Sequence, residues 1–193
     1  MSEQELTERE SLQLIGRMIH EARGYYYESG IGSMVYGFSI LTCSLLSYLR
    51  DEDLIQFPFQ PFYLLIPVFF IQAWIQMREA RKKLAKTFTD EAVDQVWMGF
   101  FISALAAWCG AWAGWGYGIV TIILFLMAFA AFLTGRLTKF RYTVIAAACC
   151  WALAVFSFFL QQPAIYFLLA AAAGLVWIVP GFIMNAQFRK QHH

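Results

Sequence analysis

The sequence predicts an all-α polytopic membrane protein, a six-transmembrane-helix bundle of three hairpins with an N-terminal amphipathic helix. Two observations carry the class. Hydrophobic residues make up 60% of the 193 and charged residues only 14%, where a soluble domain carries about a quarter. Charge is also segregated along the chain: residues 1–28 and 78–94 hold most ionisable groups, and apolar blocks fill the rest. A third observation, the placement of Lys and Arg, sets the span count and is taken up below.

The elements follow in order. Residues 1–28 form a cytoplasmic arm in which 3–27 read as an amphipathic helix, with Ser2 as cap and Glu5 completing a capping box. Leu12, Ile15, Ile19, Ala22 and Tyr26 recur at helical steps, away from Glu10, Gln13, Arg17 and Glu21. Such a stripe suits a helix lying on the membrane surface or docked beneath the bundle, with Tyr25, Tyr26 and Tyr27 at the interfacial belt. The Glu-rich start lacks the basic region of a signal peptide, so the first span is expected to act as an uncleaved start signal.

The membrane domain, 29–187, holds six apolar blocks at about 31–49, 59–77, 95–114, 117–134, 142–160 and 164–185. Each is close to the roughly 20 residues that a bilayer core requires. Thr89, followed by Asp90 and Glu91, is expected to cap the third helix. Gly135 is expected at the C′ position of the fourth. Short connections at 114–117, 135–141 and 161–163 make consecutive helices antiparallel neighbours. Pro180-Gly181 is expected to kink the sixth helix or end it early. Residues 188–193 are a cytoplasmic tail, and its terminal His192 and His193 enter no functional argument. Gly37-Phe38-x-Ile40 and Gly99-Phe100-x-Ile102 hint at an internal repeat, on only three shared residues.

Orientation comes from the basic residues. With the N-terminus inside, 13 of the 14 Lys and Arg residues fall on the cytoplasmic side, leaving Arg50 alone outside beside Asp51, Glu52 and Asp53. This satisfies the positive-inside rule at every loop, and an odd number of spans would break it. The expected location is a bacterial cytoplasmic (inner) membrane, with both termini cytoplasmic.

The chemistry of the spans is defined by what they lack. No Asp, Glu, Lys, Arg or His occupies the central part of any block, although proton relays and ion paths usually need such groups. No Ser/His dyad, HExxH motif or paired carboxylates can be assembled at depth. Cys43, Cys109, Cys149 and Cys150 sit in apolar blocks, with no CxxC spacing, and read as packing residues. No catalytic, cofactor-binding or metal residue is expected.

The candidate site residues are of three kinds. Arg78, Arg81, Lys82, Lys83 and Lys86 crowd the end of the second helix, where a basic cluster can hold anionic lipid headgroups or simply set topology. Small residues at four-residue steps are candidate helix-packing positions: Ser33 and Gly37; Ala106, Gly110 and Gly114; Ala170 and Gly174. They serve packing within the monomer or, on the third helix, a homodimer. Glu28 and Gln72 are candidate polar contacts, Glu28 with Arg136 or Lys139. Trp108, Trp112 and Trp115 are expected to anchor depth at the outer interface.

Several short motifs carry a resemblance. Glu10-Ser11-Leu12-Gln13, Thr89-Asp90 ahead of Trp97-x-Gly99-Phe100, Gly135-x-Leu137-x-Lys139-Phe140, Trp151-x-Leu153-Ala154 and Pro180-Gly181-Phe182 resemble an uncharacterised family of small six-span bacterial membrane proteins. The resemblance runs over nearly the whole chain. It implies the same topology and brings no activity, ligand or site.

The functional expectation is a non-enzymatic integral membrane protein with a structural, regulatory or lipid- or partner-interacting role. Its partners would be membrane lipids and a second copy or another membrane protein, not nucleic acid. The alternative is an uncoupled small-solute channel or transporter, which would need a polar lumen. Gln72, Thr42, Ser44, Thr121 and Ser157 are the candidates to line one. Their convergence or dispersal separates the two readings.

Overall fold

The computed structural model describes residues 30–56, 58–82, 88–112, 118–161 and 163–191, the side chains at 75, 76, 79–82, 111, 112 and 187–191 excepted. The amphipathic arm at 3–27, its tyrosine run, Glu28, Gly114 and Trp115 therefore lie outside the described residues.

Every regular element among them is helical: α1 (Ile31–Asp51), α2 (Leu65–Lys82), α3 (Phe88–Trp112), α4 (Ile119–Leu137), α5 (Arg141–Phe156), α6 (Ile165–Ala173) and α7 (Val179–Gln191). A 3₁₀ turn, Pro61–Leu64, leads into α2, another, Ser157–Phe159, ends α5, and a π-turn, Gly174–Ile178, joins α6 to α7. Five stretches are long and apolar enough to cross a bilayer: Ile31–Asp51, Phe88–Gly110, Ile119–Leu137, Arg141–Phe159 and Ile165–Ala186. The segment Pro61–Trp74 is a shorter apolar helix.

The tightest pair is α4 with α5. Leu124, Met127, Ala128 and Ala131 on α4 meet Ala147, Cys150 and Ala154 on α5, all of them fully buried. Their three- and four-residue spacing keeps one face of each helix on the other. Gly135 is part of this seam. A Cβ there would lie 2.8 Å from Val144 Cγ2 and 2.9 Å from the Val144 nitrogen. The helix runs past it to Leu137, Thr138 takes the C-cap, and Lys139 adopts the left-handed conformation at φ 58°. The expectation that Gly135 ends the helix is thus corrected: its missing side chain serves close approach rather than a turn.

Two other boundary expectations change. α3 already begins at Phe88, so Thr89 lies in its first turn rather than capping it, while Asp90 and Glu91 sit at the positive end of the helix dipole as expected. Pro180-Gly181 does not end the last helix, which continues to Gln191. The distortion falls upstream instead. Pro180 has no N–H for the Val176 carbonyl, and its ring would collide with that carbonyl in a regular helix. The chain widens just before it, and the Val179 N–H bonds the Gly174 carbonyl five residues back.

The last span lies along the first. The α1 stripe Gly37, Ile40, Cys43, Ser44 and Ser47 is buried, and α1 contacts α6, the π-turn and α7 in succession. Near the other helix end, the Tyr48 and Phe167 rings meet at a tilt, centroids 4.4 Å apart. The chain ends of the bundle are thereby joined side by side, which the order of hairpins alone does not convey.

α2 and α3 sit further out. α2 packs its backbone mainly against α1, and ring contacts bridge α2 and its 3₁₀ lead-in to α3: Phe69 to Phe101 at 5.5 Å and Tyr63 to Trp108 at 5.6 Å. Only 6% of the apolar window of α3 is buried, against 44% for the last span. In a membrane such a surface faces lipid without cost, because acyl chains are as apolar as Leu.

Candidate functional site

The region where α1 meets the π-turn gathers the most unusual local structure. α1 begins at Gly30, whose φ of 68° is left-handed, and the Gly30 carbonyl accepts the first helical bond, from the Met34 N–H at 3.0 Å. Any Cβ at Gly30 would strike the Gly181 carbonyl, and one at Gly181 would come within 2.7 Å of Met34 Cγ. One turn on, Ser33 Oγ donates to the Trp177 carbonyl at 3.1 Å. Gly37 then lies flat against the π-turn, where a Cβ would stand 2.7 Å from Ile178 Cγ1 and 2.9 Å from Trp177 Cβ. A run of Gly, Ser and Gly on one helix lets the distorted turn of the other approach backbone to backbone.

Aromatic rings close over this contact. Trp177 meets Tyr36 at 5.1 Å, Trp97 at 5.6 Å and Phe100 at 6.1 Å, and Tyr36 meets Phe101 edge-on at 5.4 Å. Offset and edge-to-face pairs of this kind add about 0.5–1.5 kcal/mol each beyond their burial. Trp177 and Gly30 carry this region without any expectation from sequence, and Gly181, expected only as part of a kink or helix end, serves the contact with α1. The Pro180 position was the one available signal for the turn.

The expected packing residues divide. Ser33 and Gly37 sit in the α1 contact just described. Ala170 is half-buried on α6, while Gly174 in the π-turn has nothing within 4 Å of where a Cβ would be. On α3, Ala106 is exposed and Gly110 likewise has open space at its Cβ position. The two Gly-Phe-x-Ile segments occupy opposite environments. Gly37 and Ile40 are buried and Phe38 exposed, whereas Gly99 and Ile102 are exposed and Phe100 buried. The repeat therefore has no structural counterpart.

The expected polar residues scatter. Thr42 is exposed and its Oγ1 donates to the Phe38 carbonyl of its own helix at 2.8 Å. Thr121 Oγ1 and Ser157 Oγ pair at 2.7 Å between the start of α4 and the end of α5, and Ser157 also bonds the Ala154 carbonyl. Ser44 and Ser47 are buried in the α1 stripe and find no hydrogen-bond partner among the described residues. Gln72 packs its amide against Gly32, where a Cβ would lie 2.6 Å from Nε2, and its Oε1 is likewise unpartnered among the described residues. Since Gly32 is the second residue of α1, Gln72 lies beside the start of that helix.

The charged residues occupy the ends. Arg50 hydrogen-bonds Gln60 across the loop between α1 and α2, and Asp51 faces the buried Tyr166 hydroxyl. At the opposite end, the Arg78 guanidinium lies 4.0 Å over the Trp74 ring, and both side chains are exposed. Arg81 and Lys82 are placed on α2 with their side chains outside the description, and Lys83 and Lys86 lie outside the described residues. Among the described residues no three His, Cys, Asp or Glu side chains gather into a metal-binding group. Comparison with known proteins finds no matching family model, no matching curated relative and no matching solved structure.

Proposed function

We propose that this chain is a non-enzymatic bacterial inner-membrane protein with a structural or regulatory role exerted through lipid or protein partners. The observation that carries the reading is the dispersal of its polar side chains. Thr42 turns back on its own helix, Thr121 and Ser157 satisfy each other, Ser44 is enclosed between helices, and Gln72 lies beside the start of α1. A water-filled path would need such groups to converge, because each buried polar atom left without a partner costs about 1–3 kcal/mol. The absence of ionisable residues from the block centres supports the same reading.

In this proposal α2 also crosses the membrane, as the second span in chain order, which brings the count to six. Its 3₁₀ lead-in, Pro61–Leu64, rises about 2 Å per residue and the α-helical part to Met77 about 1.5 Å per residue. The sum approaches the roughly 30 Å of a hydrocarbon core. Six crossings return both termini to the cytoplasm and agree with the 13-to-1 distribution of Lys and Arg. The family resemblance belongs to this proposal as well, since it implies the same topology.

Reconstitution tests the reading. Purified protein in liposomes should show no uptake driven by a proton or sodium gradient and no leak of small neutral solutes. Isolation in mild detergent, with lipid and protein mass spectrometry of the same sample, should recover enriched lipids or a reproducible membrane partner. Gradient-driven uptake abolished by changing Gln72 would overturn the proposal.

A further inference from the structure

We propose that Trp74 and Arg78 form a binding site for the headgroup of an anionic phospholipid at the C-terminal end of α2. The inference rests on the lipid-interacting role proposed above and names the ligand and the residues.

The two residues are four apart and share one face of the helix. Trp74 is 52% exposed, with Met77 beside it at 56%, so the indole and thioether sit on the surface that faces lipid. The Arg78 guanidinium carbon lies over the indole, 4.0 Å from the ring centroid. This cation–π contact holds the guanidinium in place without using its N–H donors. A planar fork held this way matches two oxygens of a phosphate. An indole at the membrane–water interface also sets the depth of the fork at the headgroup level.

Charge favours a negative occupant. Between 78 and 86 the chain carries Arg78, Arg81, Lys82, Lys83 and Lys86 against the single carboxylate of Glu79. A lone positive charge would attract any anion. Here the pair lies on the lateral surface of an apolar helix, and the phosphates that reach that surface are those of the surrounding leaflet. Under the proposed orientation this leaflet is cytoplasmic, whose anionic lipids attract juxtamembrane basic residues.

The test uses the full chain in nanodiscs of mixed phosphatidylcholine and phosphatidylglycerol, with native mass spectrometry counting the lipids retained on release. Wild type should retain phosphatidylglycerol preferentially. Arg78→Gln should reduce that retention about fivefold, which corresponds to one juxtamembrane cation. Trp74→Leu should also reduce it, although every charge is kept, and Arg78→Lys should restore only part of it. Unchanged helicity and elution of each variant exclude misfolding as the cause. If wild type prefers phosphatidylglycerol and all three variants match it, the site is refuted while the lipid-interacting role stands. If wild type shows no preference between the two lipids, both fail.

Discussion

The Ser33 hydroxyl of α1 donates to the Trp177 carbonyl, a main-chain oxygen inside the π-turn of the last span. The bond ties the first span to the last at the point where the helical ladder is irregular. Ser33→Ala should therefore lower stability by about 0.5–1.5 kcal/mol, the net worth of one such bond. Denaturant titration of purified protein in mixed micelles would measure it. A variant as stable as wild type would mean that the carbonyl is satisfied without Ser33.

Gly37 on α1 and Gly174 in the π-turn should respond oppositely to the same change. Gly37→Ala forces a methyl against Ile178 and Trp177 and should cost about 1–3 kcal/mol by overpacking. Gly174→Ala adds a methyl to open space and should be neutral, or stabilising by up to about 1 kcal/mol through helix propensity. Thermal unfolding of both variants in the same detergent checks the sign of each. Equal destabilisation would refute the placement of α1 on the π-turn.

Ser44 and Ser47 are enclosed with their hydroxyls unpartnered among the described residues. Ala occupies nearly the same volume without the desolvated oxygen. Ser44→Ala and Ser47→Ala should accordingly be neutral or stabilising, by at most about 1–3 kcal/mol each. Loss of stability in either variant would reveal a bridging water or a partner bond formed in the membrane.

Topology follows from single cysteines introduced after Cys43, Cys109, Cys149 and Cys150 have been replaced. Glu52→Cys should react with an impermeant maleimide in intact cells, and Leu84→Cys and Thr138→Cys should react only after lysis. Labelling of position 138 from outside would rule out the six-span arrangement.

Helix placement was largely legible because long apolar blocks separated by charge leave a chain few alternatives in lipid. α1, expected at 31–49, runs from Ile31 to Asp51, and α4, expected at 117–134, runs from Ile119 to Leu137. The errors arose where one residue type serves two physical ends. Glycine ends helices and also lets them touch, so Gly135 was read as a stop while the fold uses it as a contact. Proline breaks a helix locally, yet its effect can be absorbed by the turn before it, as at Pro180. Trp177 was invisible for a different reason. Its importance depends on Tyr36, Trp97 and Phe100 arriving from other helices, and in an apolar background one more aromatic residue carries no local signal.

The π-turn also carries a consequence for the numbering of faces along the last span. Bonding one residue further back accommodates an additional residue, which in a regular helix would turn everything downstream by about 100°. Gly181 reaches Gly30 because that extra residue is absorbed within Gly174–Ile178. Removing one residue from this stretch would leave a shorter, regular helix with its downstream phase kept. The span would still cross the membrane, and Gly181 would still face α1 and Gly30. The segment thus behaves as an inserted residue that leaves the faces on either side of it in phase.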